Sequence, residues 1–222
     1  MTAGDTGSDR VRGAVPPGIP DELFARGDAP MTKAEVRAVT ISAARLRPGD
    51  RVLDVGAGTG SLTVEAALLC PDGEVVAVER DPVALDLLRL NVARFGLANV
   101  TVIAGVAPEA LTGRAATVAS TPFDCVLVGG SGGRLDAILE AAAALLRPGG
   151  RIVCNTICLE TTAKAATALR RPPWMAFSCS QVSVARGVAA GPLLRFEALN
   201  PVWVTSAVRS DDGAARAGGG GR

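Results

Sequence analysis

One short stretch, RVLDVGAGTG at residues 51–60, constrains the fold of this chain more than any other feature. Its first five residues are almost continuously apolar, which indicates a buried β-strand. Three glycines then alternate with small residues, so a ligand can lie close to the backbone where the strand ends. A strand that leads through such a loop into a helix is typical of an α/β sheet with a ligand at its edge.

Strands and helices are predicted to alternate along most of the chain. Strands are expected at residues 51–55, 74–79, 100–104, 123–128 and 151–156, and helices at residues 33–46, 61–69, 82–95, 134–146 and 159–170. The strands are nearly continuous apolar runs, which predicts a doubly wound α/β fold with helices on both faces of a parallel sheet. Thr32 and Glu35 match a capping box that would open the first helix.

The last part of the chain follows a different pattern. Two β-rich runs at residues 177–186 and 193–205 have no helix between them, so they predict an antiparallel hairpin connected by GVAAGP. With the five earlier strands, this hairpin gives a Rossmann-like, mostly parallel sheet of seven strands.

Length and charge favour one globular domain. The 222 residues suggest a single domain at residues 18–207, between a segment at residues 1–17 and a glycine-rich tail at residues 208–222 that are both expected to be disordered. No apolar run approaches the ~20 residues that cross a bilayer, and no leader pattern is present, so we predict a cytoplasmic protein without membrane contact. The 23 Lys and Arg against 22 Asp and Glu lack the basic excess typical of nucleic-acid binding.

The chain contains no histidine, which excludes Ser-His-Asp and Cys-His nucleophiles and the commonest zinc ligand. Its five cysteines form no CxxC pair. Cys154 and Cys158 have the spacing of ligands on one helix face, but no second ligand pair accompanies them. We therefore predict no metal site.

The glycine loop predicts a nucleoside ligand. The glycines are spaced GxGxG, after Asp54, whereas a nicotinamide-binding loop reads GxGxxG. Glu79 ends the next strand, 23 residues after Gly56, where an acidic residue can accept both ribose hydroxyls. A Rossmann-like domain for another nucleotide, or for none, is the alternative, and Asp54 by itself could equally stabilise the turn.

These motifs and the terminal hairpin resemble the class I S-adenosylmethionine-dependent methyltransferases. The resemblance implies S-adenosyl-L-methionine as cofactor, with the loop after the third strand, GVAPEAL, along the adenine. It also implies that Thr32 closes over the cofactor, although a plain helix cap would explain this residue too. The implied cofactor-binding residues are Thr32, Asp54, Gly56, Ala57, Gly58, Thr59, Gly60, Glu79, Gly105 and Ala107.

A more particular resemblance rests on several segments together. GIPDELFARGDAPMTKAEVRA, VLDVGAGTGSLTVEAA, FDCVLVGGSGGRLDAIL, CNTICLETTAKA and QVSVARG are similar to the decarboxylating precorrin and cobalt-precorrin C15-methyltransferases. The resemblance implies methylation at C15 of a tetrapyrrole with loss of carbon dioxide from its ring-C acetate, in cobalamin biosynthesis, by a homo-oligomer, expected to be a tetramer. The sequence lacks the C5-methyltransferase domain that the aerobic pathway usually fuses to this one, and so resembles the stand-alone form.

The substrate's acetate and propionate groups call for cations and hydrogen-bond donors. No catalytic base is predicted, since the electron-rich substrate is itself the nucleophile. For the charged candidates a solvated surface position is an equal alternative, and Glu160 could cap a helix instead. Two loop positions depart from the family pattern: Ala57 stands where cysteine is common, and Val106 where an acidic residue is frequent. The candidate substrate contacts are Lys33, Arg37, Arg134, Asn155, Glu160 and Arg186.

Two other functions stay open at this point. A tRNA adenine N1-methyltransferase carries a similar VLDxGxGxGxLT segment, although the near-neutral charge counts against it. A non-catalytic nucleotide-binding module is the second alternative.

Overall fold

The computed structural model describes residues 11, 13, 15–115 and 121–211. In the described residues, five α-helices and one π-helical turn at Leu111–Ala115 follow the 3-10 turn at Asp21–Leu23. The α-helices are α1 (Ala34–Ala44), α2 (Ser61–Leu69), α3 (Pro82–Arg94), α4 (Leu135–Leu145) and α5 (Leu159–Ala168). The strands are β1 (Arg51–Val55), β2 (Glu74–Glu79), β3 (Val100–Ala104), β4 (Phe123–Val128), β5 (Leu146–Thr156), β6 (Trp174–Val182), β7 (Ala185–Ala190), β8 (Leu193–Ala198) and β9 (Val202–Arg209).

The main sheet has seven strands in the order β3-β2-β1-β4-β5-β9-β6. Strands β1 to β5 pair in parallel, and β9 runs antiparallel between β5 and β6. This confirms the predicted mostly parallel sheet. The strand order reverses between β1 and β4, which is where a doubly wound sheet opens a crevice at its carboxyl edge.

Apolar side chains cover both faces of this sheet, as the continuous apolar strands predict. Leu53 and Val55 pack on one face against α4 and α5, whereas Val52 packs on the other face against α1 and α2. Leu85 and Leu88 of α3 cover Ala77 of β2. Because successive strand residues point to opposite faces, each parallel strand contributes to both halves of the core.

The predicted capping box does not form. Lys33 is the N-cap residue of α1 and makes no capping hydrogen bond through its side chain. The Ala34 amide instead donates to Asp21 Oδ1 at 3.0 Å, so the cap comes from a residue thirteen positions upstream. A carboxylate at this place also opposes the positive end of the helix dipole. Glu35, the other half of the expected box, pairs with Arg186.

The C-terminal strands form two antiparallel pairs, where the sequence predicted a single hairpin. β6 and β9 pair within the main sheet, while β7 and β8 make a separate two-stranded hairpin. Most of the predicted connection GVAAGP belongs to β7, and the chain turns at Gly191, whose φ is 63°, followed by Pro192. Only these last two residues have the backbone preferences of a tight turn.

The segments predicted to be disordered, residues 1–17 and 208–222, lie mostly outside the described residues, which lack most of residues 1–14 and all of residues 212–222. Val11 is buried with Ile19, Phe24 and Phe95, so packing begins before the expected boundary at residue 18. β9 extends to Arg209, beyond residue 207. In the described part of the chain, no helix has the length and apolar character needed to cross a membrane.

Candidate cofactor and substrate site

A cavity of about 850 Å³ lies at the carboxyl ends of the five parallel strands. This is at the large end of the ~300–1,000 Å³ usual for ligand sites. The loops that follow β1 to β5 form most of its wall. Residues 28–33 form another side, and the base of the β7–β8 hairpin completes it with Val184, Leu199, Asn200 and Val202.

Two glycine loops meet at the centre of this cavity. Gly56, directly after β1, has a φ of 69°, and a Cβ built on it would lie 2.5 Å from the Gly130 carbonyl oxygen. The loops after β1 and β4 therefore touch through their backbones, and glycine is required at this contact because any side chain would separate them. The cavity floor is left lined by backbone, open to a ligand that approaches closely.

The Glu79 carboxylate lies at the end of β2 and lines the cavity. Its Oε2 accepts a hydrogen bond from the Gly58 amide at 2.8 Å, and its Oε1 accepts from the amides of Arg80 and Asp81 at 2.7 and 2.9 Å. An ionised carboxylate has about four acceptor positions and the three amides occupy three of them, so one remains for a hydroxyl donor of a ligand. Glu79 thus connects the glycine loop to the position predicted for a ribose.

Asp54 is fully buried at the end of β1 and also lines the cavity. The Thr63 hydroxyl donates to its Oδ2 at 2.6 Å, while its Oδ1 has no partner among the described residues. Burial raises the pKa of Asp54 to about 6, the Thr63 hydrogen bond opposes this rise, and the charge of Glu79 adds to it. An anionic oxygen without a partner at the floor of a cavity suits a cationic ligand group.

The other predicted cofactor contacts divide into two groups. Thr32, Ala57, Gly105 and Ala107 line the cavity together with the residues above. Thr59 and Gly60 do not. The Thr59 carbonyl accepts from Asn91 Nδ2 at 2.8 Å, and a Cβ on Gly60 would lie 2.2 Å from Leu88 Cδ1, so both residues pack α2 against α3 behind the loop.

Three of the predicted substrate contacts reach the cavity: Lys33, Arg134 and Asn155. Asn155 Nδ2 donates to the Thr40 hydroxyl at 3.0 Å, which orients the amide at the end of β5. Arg134 makes a forked ion pair with the Glu109 carboxylate at 2.8 and 2.5 Å. Lys33 has no acidic partner in the described part of the chain, which leaves its ammonium group available to a substrate carboxylate.

Arg37 is not placed to bind substrate, contrary to the prediction. Its side chain is fully buried below the cavity, where it pairs with Asp21 at 2.8 Å and with Glu65 at 2.7 Å. Its remaining donors reach the carbonyls of Ile19 and Thr32. The guanidinium thus donates four hydrogen bonds to acceptors of this chain while fully buried, so Arg37 has a structural role.

Arg186 and Glu160 also lie outside the cavity wall, so their predicted substrate contacts are not supported. Arg186 forms ion pairs with Asp21 at 2.8 Å and with Glu35 at 2.6 Å. Glu160 is exposed in the first turn of α5, where Cys158 is the N-cap residue and no side chain makes a capping hydrogen bond. The helix-cap alternative for Glu160 therefore fails as well.

Several polar cavity residues escaped the sequence analysis, among them Arg80 and Asn200. Arg80 directly follows Glu79, and its guanidinium extends to the loop after β4, where a Cβ on Gly132 would lie 3.0 Å from Arg80 Nη1. Its place next to a predicted strand-end contact was an available signal. Asn200 lies between β8 and β9, and it reaches the cavity only because β9 inserts beside β5. Nothing local in the sequence indicates that insertion.

The sheet order and the glycine-lined cavity at its switch point define a Rossmann-like methyltransferase. A family model described as "Precorrin methyltransferase domain" matches residues 22–209, and the chain belongs to that family. This confirms the resemblance that the sequence motifs predict.

Individual relatives agree with this assignment. A protein of Salmonella typhimurium (strain LT2), named "Cobalt-precorrin-6B C(15)-methyltransferase (decarboxylating)", is 39% identical over 193 residues, which cover 86% of this chain and 96% of that one. The structure of a "Precorrin-6y C5,15-methyltransferase" from Geobacter metallireducens is 37% identical, covers 88% of this chain and 99% of that chain, and has a TM-score of 0.78. A "precorrin 8w decarboxylase" from Methanobacterium thermoautotrophicum is 35% identical, covers 85% and 98%, and has a TM-score of 0.76.

Proposed function

We propose that this chain is an S-adenosylmethionine-dependent methyltransferase that methylates C15 of a precorrin or cobalt-precorrin and removes the ring-C acetate carboxyl group as carbon dioxide. The observation that carries the proposal is the cavity itself. It brings together the acidic and backbone groups that a cationic nucleoside needs, the Asn155 amide, and the Lys33 ammonium, which has no acidic partner among the described residues. Membership of the precorrin methyltransferase family supports the same substrate class.

The residues present suit S-adenosylmethionine. Asp54 has a buried oxygen without a partner among the described residues, and this oxygen would accept the cofactor's ammonium group. Glu79 would accept a ribose hydroxyl at its remaining acceptor position, and the close glycine contact at Gly56 leaves space against the backbone. When bound, the cofactor supplies an electrophilic methyl group. The chain's own task is to hold the acceptor carbon in line with that group, and positioning of this kind can lower a barrier by ~7–11 kcal/mol.

The substrate's conjugated ring explains why no imidazole or metal base is required of the protein. Carbon 15 would supply the electron pair for the new carbon–carbon bond, while the sulfur–methyl bond breaks. The methylated ring is then electron-poor, and it accepts the electron pair released when the acetate's carbon–carboxylate bond breaks. Lys33 would orient the substrate's other carboxylates through charge-assisted hydrogen bonds.

The test is incubation of the purified protein with S-adenosylmethionine and cobalt-precorrin-6B, followed by mass spectrometry. We expect one molecule that has gained a CH₂ unit and lost CO₂. Methyl gain without loss of CO₂ would overturn the decarboxylation half of the proposal. Methyl transfer to tRNA, or failure to bind S-adenosylmethionine at all, would favour the two alternatives instead.

We also infer that the protein forms a homo-oligomer through the β7–β8 hairpin. The hairpin pairs only with itself in the described part of the chain, and isolated two-stranded hairpins are marginal in water. Leu193, Leu194 and Phe196 are exposed by 65% or more of their surface, an apolar patch of the kind that a second copy would cover. Light scattering should give more than one chain per particle, expected to be four, and Phe196→Glu should reduce that number. A cytoplasmic location and the absence of nucleic-acid binding stay predictions from the sequence.

A further inference from the structure

Residues 26–33, termed the strap, form the part of the cavity wall that lies over the glycine loop. Six of them line the cavity, from Asp28 to Lys33. The Pro30 carbonyl oxygen would lie 3.0 Å from a Cβ on Gly58, so the strap rests directly on the loop predicted to bind the cofactor. Within the described residues, none of residues 26–31 makes a hydrogen bond. Hydrogen bonds therefore hold the strap only at its two ends, and between them Met31 packs against the apolar cluster that contains Phe24 and Phe95.

The amino end of the strap is held by α3. Asn91 is fully buried; its Oδ1 accepts from the Ala25 amide at 2.7 Å, and its Nδ2 donates to the Ala25 carbonyl at 3.1 Å. The same amide group donates to Thr59 in the glycine loop. This anchor ties the strap to the cofactor loop directly.

The carboxyl end of the strap is held by ion pairs. Arg37 donates to the Thr32 carbonyl, and Asp21 Oδ1 accepts from Arg37 Nη1 at 2.8 Å and from the Ala34 amide at 3.0 Å. Glu65 binds Arg37 from the other side at 2.7 Å. The side chains of Arg37, Asp21 and Glu65 are all at least nine-tenths buried, so the anchor has a defined geometry.

Arg186 extends this anchor to the hairpin. It is the second residue of β7, and its Nη2 donates to Asp21 Oδ2 at 2.8 Å and to Glu35 Oε2 at 2.6 Å, while its Nε donates to Glu35 Oε1 at 2.9 Å. Asp21 is thus shared by the strap anchor and the hairpin. The Arg186 side chain is 39% exposed, so its removal leaves the buried core intact.

We propose that Arg186 is a positioning residue for cofactor binding, because it clamps the hairpin to the Asp21 anchor that holds the strap over the cofactor end of the cavity. The inference rests on the proposed function for the identity of the ligand. Loss of the clamp removes one of the cations that face Asp21 and frees Glu35 and the first turn of α1. The strap then samples positions away from the glycine loop. Because it must be ordered again when the cofactor binds, the free energy of cofactor binding becomes less favourable.

The test compares Arg186→Met with Arg195→Met by calorimetry with S-adenosylmethionine. Arg195 lies in the same hairpin, but its ion pair is with Glu197 of its own strand, so this variant removes an equal charge without touching the anchor. We expect Arg186→Met to raise the cofactor dissociation constant about fivefold or more, and Arg195→Met to leave it unchanged. Arg186→Lys should recover part of the affinity, since an ammonium group keeps the charge but cannot fork between two carboxylates.

Two further readouts separate positioning from a general loss of structure. Arg186→Met should raise the KM for the cofactor with little change in kcat, and amide hydrogen exchange should accelerate at residues 28–36 while α4 and β4 stay protected. Glu35→Gln should show a smaller effect in the same direction, and the double variant should be less than additive because both changes break one contact.

The outcomes distinguish the two proposals. If the unmodified protein does not bind S-adenosylmethionine, the proposed function fails. If it binds, and Arg186→Met matches Arg195→Met in affinity and exchange, the positioning role of Arg186 is wrong and the proposed function is untouched.

Discussion

Two aspartates near the glycine loop, Asp21 and Asp54, are almost completely buried, but they differ in how many hydrogen bonds they accept. Asp21, in the anchor below the strap, accepts hydrogen bonds from two arginines and a helix amide. Asp54, on the cavity floor, accepts one hydrogen bond from Thr63 and has an oxygen without a partner among the described residues. An aspartate therefore has both its oxygens hydrogen-bonded by the chain in the anchor, whereas on the cavity floor one of its oxygens has no partner among the described residues.

Their pKa values follow this difference. Burial would raise the pKa of Asp21, but its hydrogen bonds with Arg186 and Arg37 outweigh burial and leave the pKa lowered. Burial dominates at Asp54 and raises its pKa to about 6. A buried network that is satisfied within the chain stabilises the fold, whereas a buried charge left unsatisfied costs stability and is available to a ligand. The contrast separates structural from functional polar groups.

The largest effect is expected from removal of the central cation of the anchor. Arg37→Met leaves the Glu65 carboxylate buried without a cation and Asp21 with Arg186 alone, and loss of one partner of a buried ion pair costs about 3–5 kcal/mol. Urea unfolding followed by circular dichroism measures this change. The matched control is Arg147→Met, which breaks the half-exposed pair with Asp124 and should cost less than about 1 kcal/mol. Equal losses in the two variants would contradict the structural role of Arg37.

A gain in stability, and not a loss, is expected when the charge of Asp54 on the cavity floor is removed. Asp54→Asn removes a buried charge, so the free energy of unfolding at pH 7 should rise by about 1–2 kcal/mol. Affinity for S-adenosylmethionine should fall about tenfold or more, because a charge-assisted contact is lost. Asp86→Asn, at an exposed position on α3, is the control and should change neither quantity. A variant that is less stable than the parent would show that Asp54 has a partner after all.

The pH dependence of cofactor affinity should report Asp54 as well. If the ionised carboxylate binds the cofactor's ammonium group, affinity is constant above about pH 7 and falls as Asp54 is protonated below about pH 6. The stability of the unliganded protein should change in the opposite direction. Because the pKa of Asp54 is raised in the folded state, the contribution of this group to the free energy of unfolding increases as pH falls from about 7 towards 4. Calorimetry between about pH 5 and about pH 8 checks the expected loss of cofactor affinity at low pH. Asp54→Asn should make the affinity independent of pH over this range.

The smallest effect concerns the exposed end of the anchor at acid pH. The hydrogen bond with Arg186 lowers the pKa of Glu35, and that of Asp21 is lowered too. The stability that these groups contribute is therefore present above about pH 4 and is lost as pH falls through their lowered pKa values. Unfolding of the parent and of Arg186→Met should differ at pH 7 and converge in acid. A constant difference at every pH would show that Arg186 acts through packing alone.

Local patterns in the sequence were sufficient to predict the strands of the parallel half of the sheet. β1 to β4 begin and end at the predicted residues, because apolar runs bounded by glycine, proline and acidic residues define a buried strand by themselves. The first helix was expected to be capped by Thr32, yet the cap comes from Asp21. A local capping box and a distant carboxylate satisfy the same orphan amides, and no local pattern distinguishes them.

The sequence also predicts which residues lie together at the carboxyl edge of the sheet, whereas it does not predict the partners of the arginines. Asp54, Gly56, Gly58 and Glu79 reach the cavity because strand ends in a parallel sheet lie at one edge by construction. Arg37 and Arg186 read as surface cations or substrate contacts. Their true partners are separated from them by 16 to 165 residues along the chain, so that only the packed fold brings the charges together.

The sequence by itself determined the strand–helix alternation, the glycine loop and the family, since each depends on residues close together in the chain. The tertiary structure decided that the buried carboxylate of Asp21 is paired with arginines and that one oxygen of the buried Asp54 has no partner among the described residues. It also decided that the hairpin meets the N-terminal anchor, and that Arg186 belongs to that anchor and not to the substrate site. The physical reason is that the state of a charge depends on all the groups around it, and those groups come from distant parts of the chain.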